Sequence, residues 1–95
     1  MISLYGAKQA PSAEDLRGLD ALVFDLQDAG VRFYTYGATL LLCLEAAGAA
    51  GVELVVLDRP NPLGGERVEG PVAERAGFLS RLPGPLVHGL TLGEL

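Results

Sequence analysis

The ninety-five residues contain no tryptophan, one cysteine, one histidine and one methionine. A lone cysteine excludes an internal disulfide and leaves the redox compartment undetermined. A lone histidine, His88, means that any metal site would need carboxylate ligands or outside residues, so no metal is expected. Basic residues are scarce: seven Lys and Arg stand against twelve Asp and Glu, a net charge of -5. No basic patch can meet phosphates, which excludes nucleic acid as a partner. The longest apolar stretch, Ala38 to Ala50, is interrupted by Glu45 and is too short to span a bilayer, so no membrane partner is expected. Met1-Ile2-Ser3-Leu4-Tyr5 lacks the basic start and long apolar core of a signal peptide. GxGxxG, Walker A, HExxH and GxSxG patterns are all missing, and no cofactor is expected.

What is present is a globular composition, 49% apolar and 20% charged, sized for one domain with a modest core. Ala21-Leu22-Val23-Phe24 is a continuous apolar run of buried-strand type. Residues from about Thr35 to Ala50 read as a helix stopped by Gly51. Val52 to Leu57 is the next strand, and Pro60 and Pro62 forbid its continuation. This is a strand–helix–strand unit, which closes right-handed and parallel. Pro11-Ser12 before Ala13-Glu14-Asp15-Leu16-Arg17 predicts a short helix ended by Gly18. After Leu63 the chain reads mostly as loop.

Both ends suggest an excerpt of a longer protein. Ile2-Ser3-Leu4-Tyr5 reads as a strand without a lead-in, making three strands in all. Thr91-Leu92-Gly93-Glu94 has the capping-box pattern that opens a helix, and the chain stops at Leu95. Leu40-Leu41-Leu42-Cys43-Leu44 wraps apolar groups around more than one helix face, where a surface helix keeps a polar stripe. That helix is expected either to be covered by further protein or to form a homo-oligomer interface.

In a parallel sheet, ligands bind outside the carboxyl ends of the strands. Asp25 follows the first strand and Asp58 the second. The polar loops come next: Gln27, Asp28 and Arg32 in one, Arg59 and Asn61 in the other. Each acid also has a bland reading, since Asp after a strand is a common cap or turn residue. Asp28 could pair with Arg32, and Asp58 with Arg59. The ensemble at two converging strand ends favours a site. Tyr34 and Tyr36 could stack on a sugar ring or seal the helix against the sheet. Glu69, in a constrained loop, is a candidate acid with plain surface exposure as the equal alternative. His88 could contact a ligand or bond to a turn. Cys43, mid-helix among leucines, is core.

Four ordered stretches, DLQDAGVRFYTYG, VVLDRPNPLGG, VEGPV and HGLTLGEL, make the chain resemble the NamZ-type exo-β-N-acetylmuramidases, formerly a domain of unknown function. The resemblance implies an α/β fold: part of a Rossmann-like N-terminal domain, three-layered in the full-length parent, with residues 1–95 a fragment lacking the C-terminal domain. It implies release of N-acetylmuramic acid from the non-reducing end of peptidoglycan fragments, an extracytoplasmic location and a small saccharide as partner. The family's Glu-His-Gly motif, whose glutamate is a favoured catalytic candidate, would precede the matched segment. Carried over by motif, the catalytic candidates are Asp25, Asp28, Asp58 and Glu69. The substrate-binding candidates are Gln27, Arg32, Tyr34, Tyr36, Arg59, Asn61 and His88. The position before the His-Gly pair is often basic in the family and is Val87 here, which argues against this loop gripping the sugar's lactyl carboxylate.

Glycoside hydrolysis usually takes two carboxyl groups flanking the bond, one of them held protonated. The segment alone is expected to be inactive, with the proton donor elsewhere. A non-catalytic sugar- or nucleotide-binding module and a dimerising structural remnant are the alternatives.

Overall fold

The structure, a computed structural model, describes residues 1–74 and 77–95. Strand β1, Ala21–Phe24, leads into helix α1, Thr35–Ala50, which returns the chain to strand β2, Glu53–Val56. The strands pair in parallel, with Ala21 opposite Glu53 and Phe24 opposite Val56. Leu57 extends the ladder by donating its N–H to the Phe24 carbonyl at 3.0 Å.

The stop at Gly51 has a local cause. Gly51 adopts φ +67°, its N–H reaches Gly48 O, and Val52 N–H reaches Ala47 O at 2.9 Å. This double closure satisfies the last helical carbonyls, and glycine meets the left-handed backbone without strain. The amino end has no such cap: Tyr34 precedes the helix in extended conformation and makes no capping side-chain bond.

One face of the sheet is covered. Leu54 and Val56 share an apolar cleft with Leu40, Leu41 and Leu44 of α1, so this is the face α1 packs on. In register, Leu22 and Phe24 lie on that side. Phe24, Ala38, Cys43, Ala47, Leu82 and Leu92 form the main buried cluster. The alternate residues Val23 and Val55 point to the other side and are 54% and 36% exposed. The run Ala21–Phe24, read as a buried-type strand, is therefore covered on one face, and among the described residues its other face stays exposed at Val23.

Two other expectations are corrected. Residues 2–5 form no strand, so the sheet has two strands rather than three. Residues 13–18 form a turn, not a helix, although the predicted cap is present. Asp15 Oδ2 accepts from both the N–H and the hydroxyl of Ser12 at 2.8 Å, and Ser12 Oγ accepts the Asp15 N–H at 3.3 Å. Gly18, at φ +78°, ends it after one turn, too short a run for a helical ladder. Its purpose in the core is Leu16, 2% exposed.

Beyond Leu63 the described chain is loop with a single 3-10 turn at Phe78–Ser80. Isolated antiparallel bridges join Val87 to Val31 and to Glu69. They bring the segment around Val87 against the loop that follows β1. No described helix is long and apolar enough to cross a membrane.

Candidate functional site

Because β1 and β2 are parallel and in register, Asp25 and Asp58 leave the sheet at the same edge. Asp25 is exposed and pairs with the guanidinium of Arg59, which joins the two loops directly. Asp58 turns the other way. Its carboxylate accepts the Thr91 hydroxyl at 2.6 Å and the Gly93 N–H at 3.1 Å. These bonds, Thr91 first, hold its pKa below the ordinary carboxylate value, against a smaller opposing effect of burial. Thr91 is positioned by its own capping box: Glu94 Oε2 accepts the Thr91 N–H at 2.9 Å, and Thr91 Oγ1 accepts the Glu94 N–H at 3.2 Å. At Gly93 a Cβ would lie 2.7 Å from Asp58 Oδ2, so only glycine lets the backbone approach.

Asp28 and His88 are buried together, with side chains 6% and 4% exposed. His88 Nε2 lies 3.2 Å from Asp28 Oδ2, which also accepts the Gly30 N–H at 2.8 Å. The other ring nitrogen, Nδ1, accepts the Leu90 N–H at 3.2 Å. Nδ1 therefore carries a lone pair, which leaves the imidazole proton on Nε2, the nitrogen nearer the carboxylate. His88, expected either to contact a ligand or to bond to a turn, is an interior link between the loop after β1 and the last loop of the chain.

Asn61 ties the third loop in. Its Nδ2 donates to Leu90 O at 2.9 Å, and its Oδ1 accepts the Leu63 N–H at 2.8 Å. Gly30, at φ +77°, passes so close that a Cβ there would sit 2.3 Å from Asn61 Oδ1.

Gln27, Asp28, Asp58, Arg59 and Asn61 line one crevice with Leu26, Leu90, Thr91 and Leu92. It is narrow, with no room for a water molecule between its walls. Exposed Asp25 lies beside it, paired with Arg59, and Gln27, whose Nε2 donates to Asp28 O at 2.9 Å, is exposed.

The remaining predicted residues stand outside that crevice. Arg32 bonds through its backbone to Leu86 O at 2.8 Å and through its guanidinium to Pro71 O at 3.3 Å. Its buried Nε has no hydrogen-bond partner among the described residues. It does not pair with Asp28. Tyr34 and Tyr36 pack edge to face at 4.8 Å between centroids. The Tyr36 neighbour raises the Tyr34 pKa, chiefly by hydrogen bonding, so Tyr34 is a neutral phenol. Glu69 pairs with Arg67 at 2.9 Å on an exposed stretch.

Sequence reading took Thr91 only as a helix cap and overlooked Leu90 and Gly93. The cap pattern was visible. Their partners across the crevice, Asn61 and Asp58, lie about thirty residues away, and no local spacing announces them.

With this geometry in place, comparison with known proteins is informative. A family model described as "Exo-beta-N-acetylmuramidase NamZ, N-terminal" matches residues 1–95. Over 95 residues the chain is 50% identical to the peptidoglycan beta-N-acetylmuramidase NamZ of Bacillus subtilis (strain 168), covering 98% of this chain and 23% of that protein. Crystal structures of two DUF1343 family proteins from Bacteroides fragilis NCTC 9343 superpose with TM-scores of 0.89 and 0.80, at 45% and 39% identity. They cover 96% and 87% of this chain and 24% of each of those chains. The chain thus spans less than a quarter of the length of these relatives.

Proposed function

The chain belongs to the NamZ N-terminal family, and on that premise we propose that its carboxyl-edge crevice is the saccharide-binding part of an exo-β-N-acetylmuramidase. The substrate is N-acetylmuramic acid at the non-reducing end of peptidoglycan fragments, met outside the cytoplasm. The supporting observation is that Gln27, Asp58, Arg59 and Asn61, all within the family match, line one crevice at the carboxyl ends of two parallel strands. In a whole protein of relative length this unit is one piece of a three-layered Rossmann-like domain. The bare Val23 and Val55 face supports that, since parallel sheets are covered on both faces.

The ligand lies across the mouth of the crevice, on Asp25, Gln27 and Arg59, because the interior is closed. Arg59 is the cation for the lactyl carboxylate, which a guanidinium binds bidentately. Its fork is exposed, whereas the Arg32 guanidinium is engaged with Pro71. Asp25 holds Arg59 in place and orients a hydroxyl.

None of the crevice carboxyls suits the proton donor. A general acid needs a raised pKa. Asp58 is held on the low side by Thr91 and Gly93, and Asp28 is enclosed with His88; beside the crevice Asp25 is paired with Arg59, and Glu69, away from it, with Arg67. The donor therefore comes from outside these ninety-five residues, and the segment alone binds without turning over. Calorimetric titration with N-acetylmuramic acid, alongside N-acetylglucosamine, tests the reading. Tighter binding of the lactyl sugar that is lost in Arg59→Ala supports it. A folded chain that binds neither sugar, or that cleaves a chromogenic muramic acid glycoside unaided, refutes it.

A second reading rests on the apolar cleft beside α1, which shares Leu92 with the crevice. Leu40, Leu41 and Leu44 border an open apolar cleft of about 200 Å³ with Leu54, Val56, Leu82, Leu92 and Leu95, and Leu44 is 53% exposed. In that reading the chain is a non-catalytic module that dimerises through α1.

A further inference from the structure

Asp28 and Asp58 both border the crevice, but their surroundings differ. Asp28 and His88 are almost entirely enclosed and face each other, with Nε2 3.2 Å from Oδ2; Oδ2 accepts Gly30 N–H and Nδ1 accepts Leu90 N–H. Leu90 is held from its other side as well, its carbonyl accepting from Asn61. The next residue is Thr91, whose hydroxyl meets Asp58. These contacts connect the loop after β1, through the imidazole, to the segment that presents a hydroxyl to the second aspartate.

We infer that Asp28 and His88 are positioning residues that fix Leu90 and Thr91 so that the Thr91 hydroxyl and Gly93 N–H meet the Asp58 carboxylate. Three observations carry this. The pair is buried, so neither group reaches a ligand lying on the crevice mouth. The tautomer is fixed by its own bonds, since only a lone pair on Nδ1 can receive Leu90 N–H. The spacing is short: only Gly89 separates His88 from Leu90, and Thr91 follows immediately, so a swing of the ring displaces the hydroxyl. A buried, hydrogen-bonded network of this kind holds one geometry, because an unpaired member in the interior is costly.

The carboxyl group of Asp58 reports the arrangement. Its lowered pKa comes first from Thr91 and next from Gly93 N–H. If the pair sets that contact, breaking the pair shifts Asp58 although neither Asp28 nor His88 touches it. That this matters for a ligand rests on the saccharide reading above. The positional coupling does not, and it is measured with no sugar present.

The experiment uses the isotopically labelled chain. Long-range proton–nitrogen spectra identify the His88 tautomer, and carboxyl carbon shifts follow the Asp58 titration. In the native chain the Nε2–H tautomer is expected, with Asp58 titrating below the usual carboxylate range. His88→Ala and Asp28→Ala shift that titration upward, as Thr91→Val does with the pair intact. Asp28→Asn keeps both native signatures, because its amide oxygen still accepts from Gly30 and His88. An Nδ1–H tautomer in the native chain overturns the proposal. So does an unmoved Asp58 in a folded Asp28→Ala chain. Should Asp28→Ala not fold, Asp28→Asn decides: native tautomer and native Asp58 titration support positioning, and loss of either overturns it. Sugar binding is then titrated separately, so failure of the saccharide reading leaves these spectra unaffected.

Discussion

Phe24 and Val56 sit opposite each other as parallel partners, and Leu57 N–H closes on Phe24 O at 3.0 Å. From that pair onward, both chains leave the sheet on one edge. Asp25 and Arg59 then meet one and three residues beyond it, and the crevice is the space between their loops.

The Asp25–Arg59 pair separates binding from stability. It is exposed on both sides, and such pairs contribute only about 0–1 kcal/mol to folding. Arg59→Ala is expected to leave the denaturation midpoint nearly unchanged while weakening N-acetylmuramic acid binding roughly tenfold or more, as loss of a charge-assisted bidentate contact implies. Paired chemical denaturation and calorimetry check this. An equal loss of both would make the pair structural.

Gly30 allows no side chain. Its φ of +77° and the 2.3 Å approach of Asn61 Oδ1 to a built Cβ both oppose substitution. Gly30→Ala is expected to cost about 1–3 kcal/mol, the usual range for a strained backbone position. Thermal unfolding measures it, and a neutral result would show that the two loops do not approach so closely.

Asp58 makes stability fall in acid. Its folded pKa is below the unfolded value, so its contribution is fully present above the ordinary carboxylate pKa of about 3.9 and is lost as pH falls through the lower folded pKa. Thr91→Val removes the main cause and should flatten this part of the pH dependence. Asp15, held at about 2 chiefly by Lys8, adds to the same acid limb. Lys8→Met should raise the Asp15 titration without moving Asp58. Denaturant midpoints measured from pH 7 down to acid, with carboxyl carbon shifts, distinguish the two.

Cys43 is buried at 4% exposure, and burial raises its thiol pKa. Thiolate is the reactive form, so the native chain should react slowly with a disulfide reagent and at full rate once unfolded. Rapid reaction under native conditions would show that α1 opens locally at low cost.

The apolar surface of α1 supplies a fifth expectation. If the Leu40 to Leu44 face joins two copies, Leu44→Glu should convert a dimer to a monomer in light scattering. A chain that is monomeric before substitution removes the dimer reading and leaves the cleft to other protein.

How much of this was legible depended on the distance over which each signal acts. Helix α1 could be read almost to the residue, because its end is written in Gly51 and Val52 themselves. The strands could be read from their apolar runs, with only Val52 and Leu57 trimmed. Ile2 to Tyr5 had the pattern of a strand and formed none, since a strand needs a partner that its own residues do not supply. Ser12 to Gly18 had a cap and a stop but too few residues between them. His88 was read as a ligand contact or a turn residue, and the sixty-residue separation from Asp28 hid its partner.

The amino-acid sequence by itself determined the strand–helix–strand unit, the glycine that ends the helix and the placement of an aspartate just beyond each strand. These follow from steric and hydrogen-bonding preferences that act within a few residues. Only the tertiary structure decided that Asp25 faces Arg59, that Asp58 turns to Thr91 and that Asp28 is enclosed with His88. Those choices depend on which loops close over the sheet edge, where burial removes water and leaves each polar group to the partner that folding brings to it.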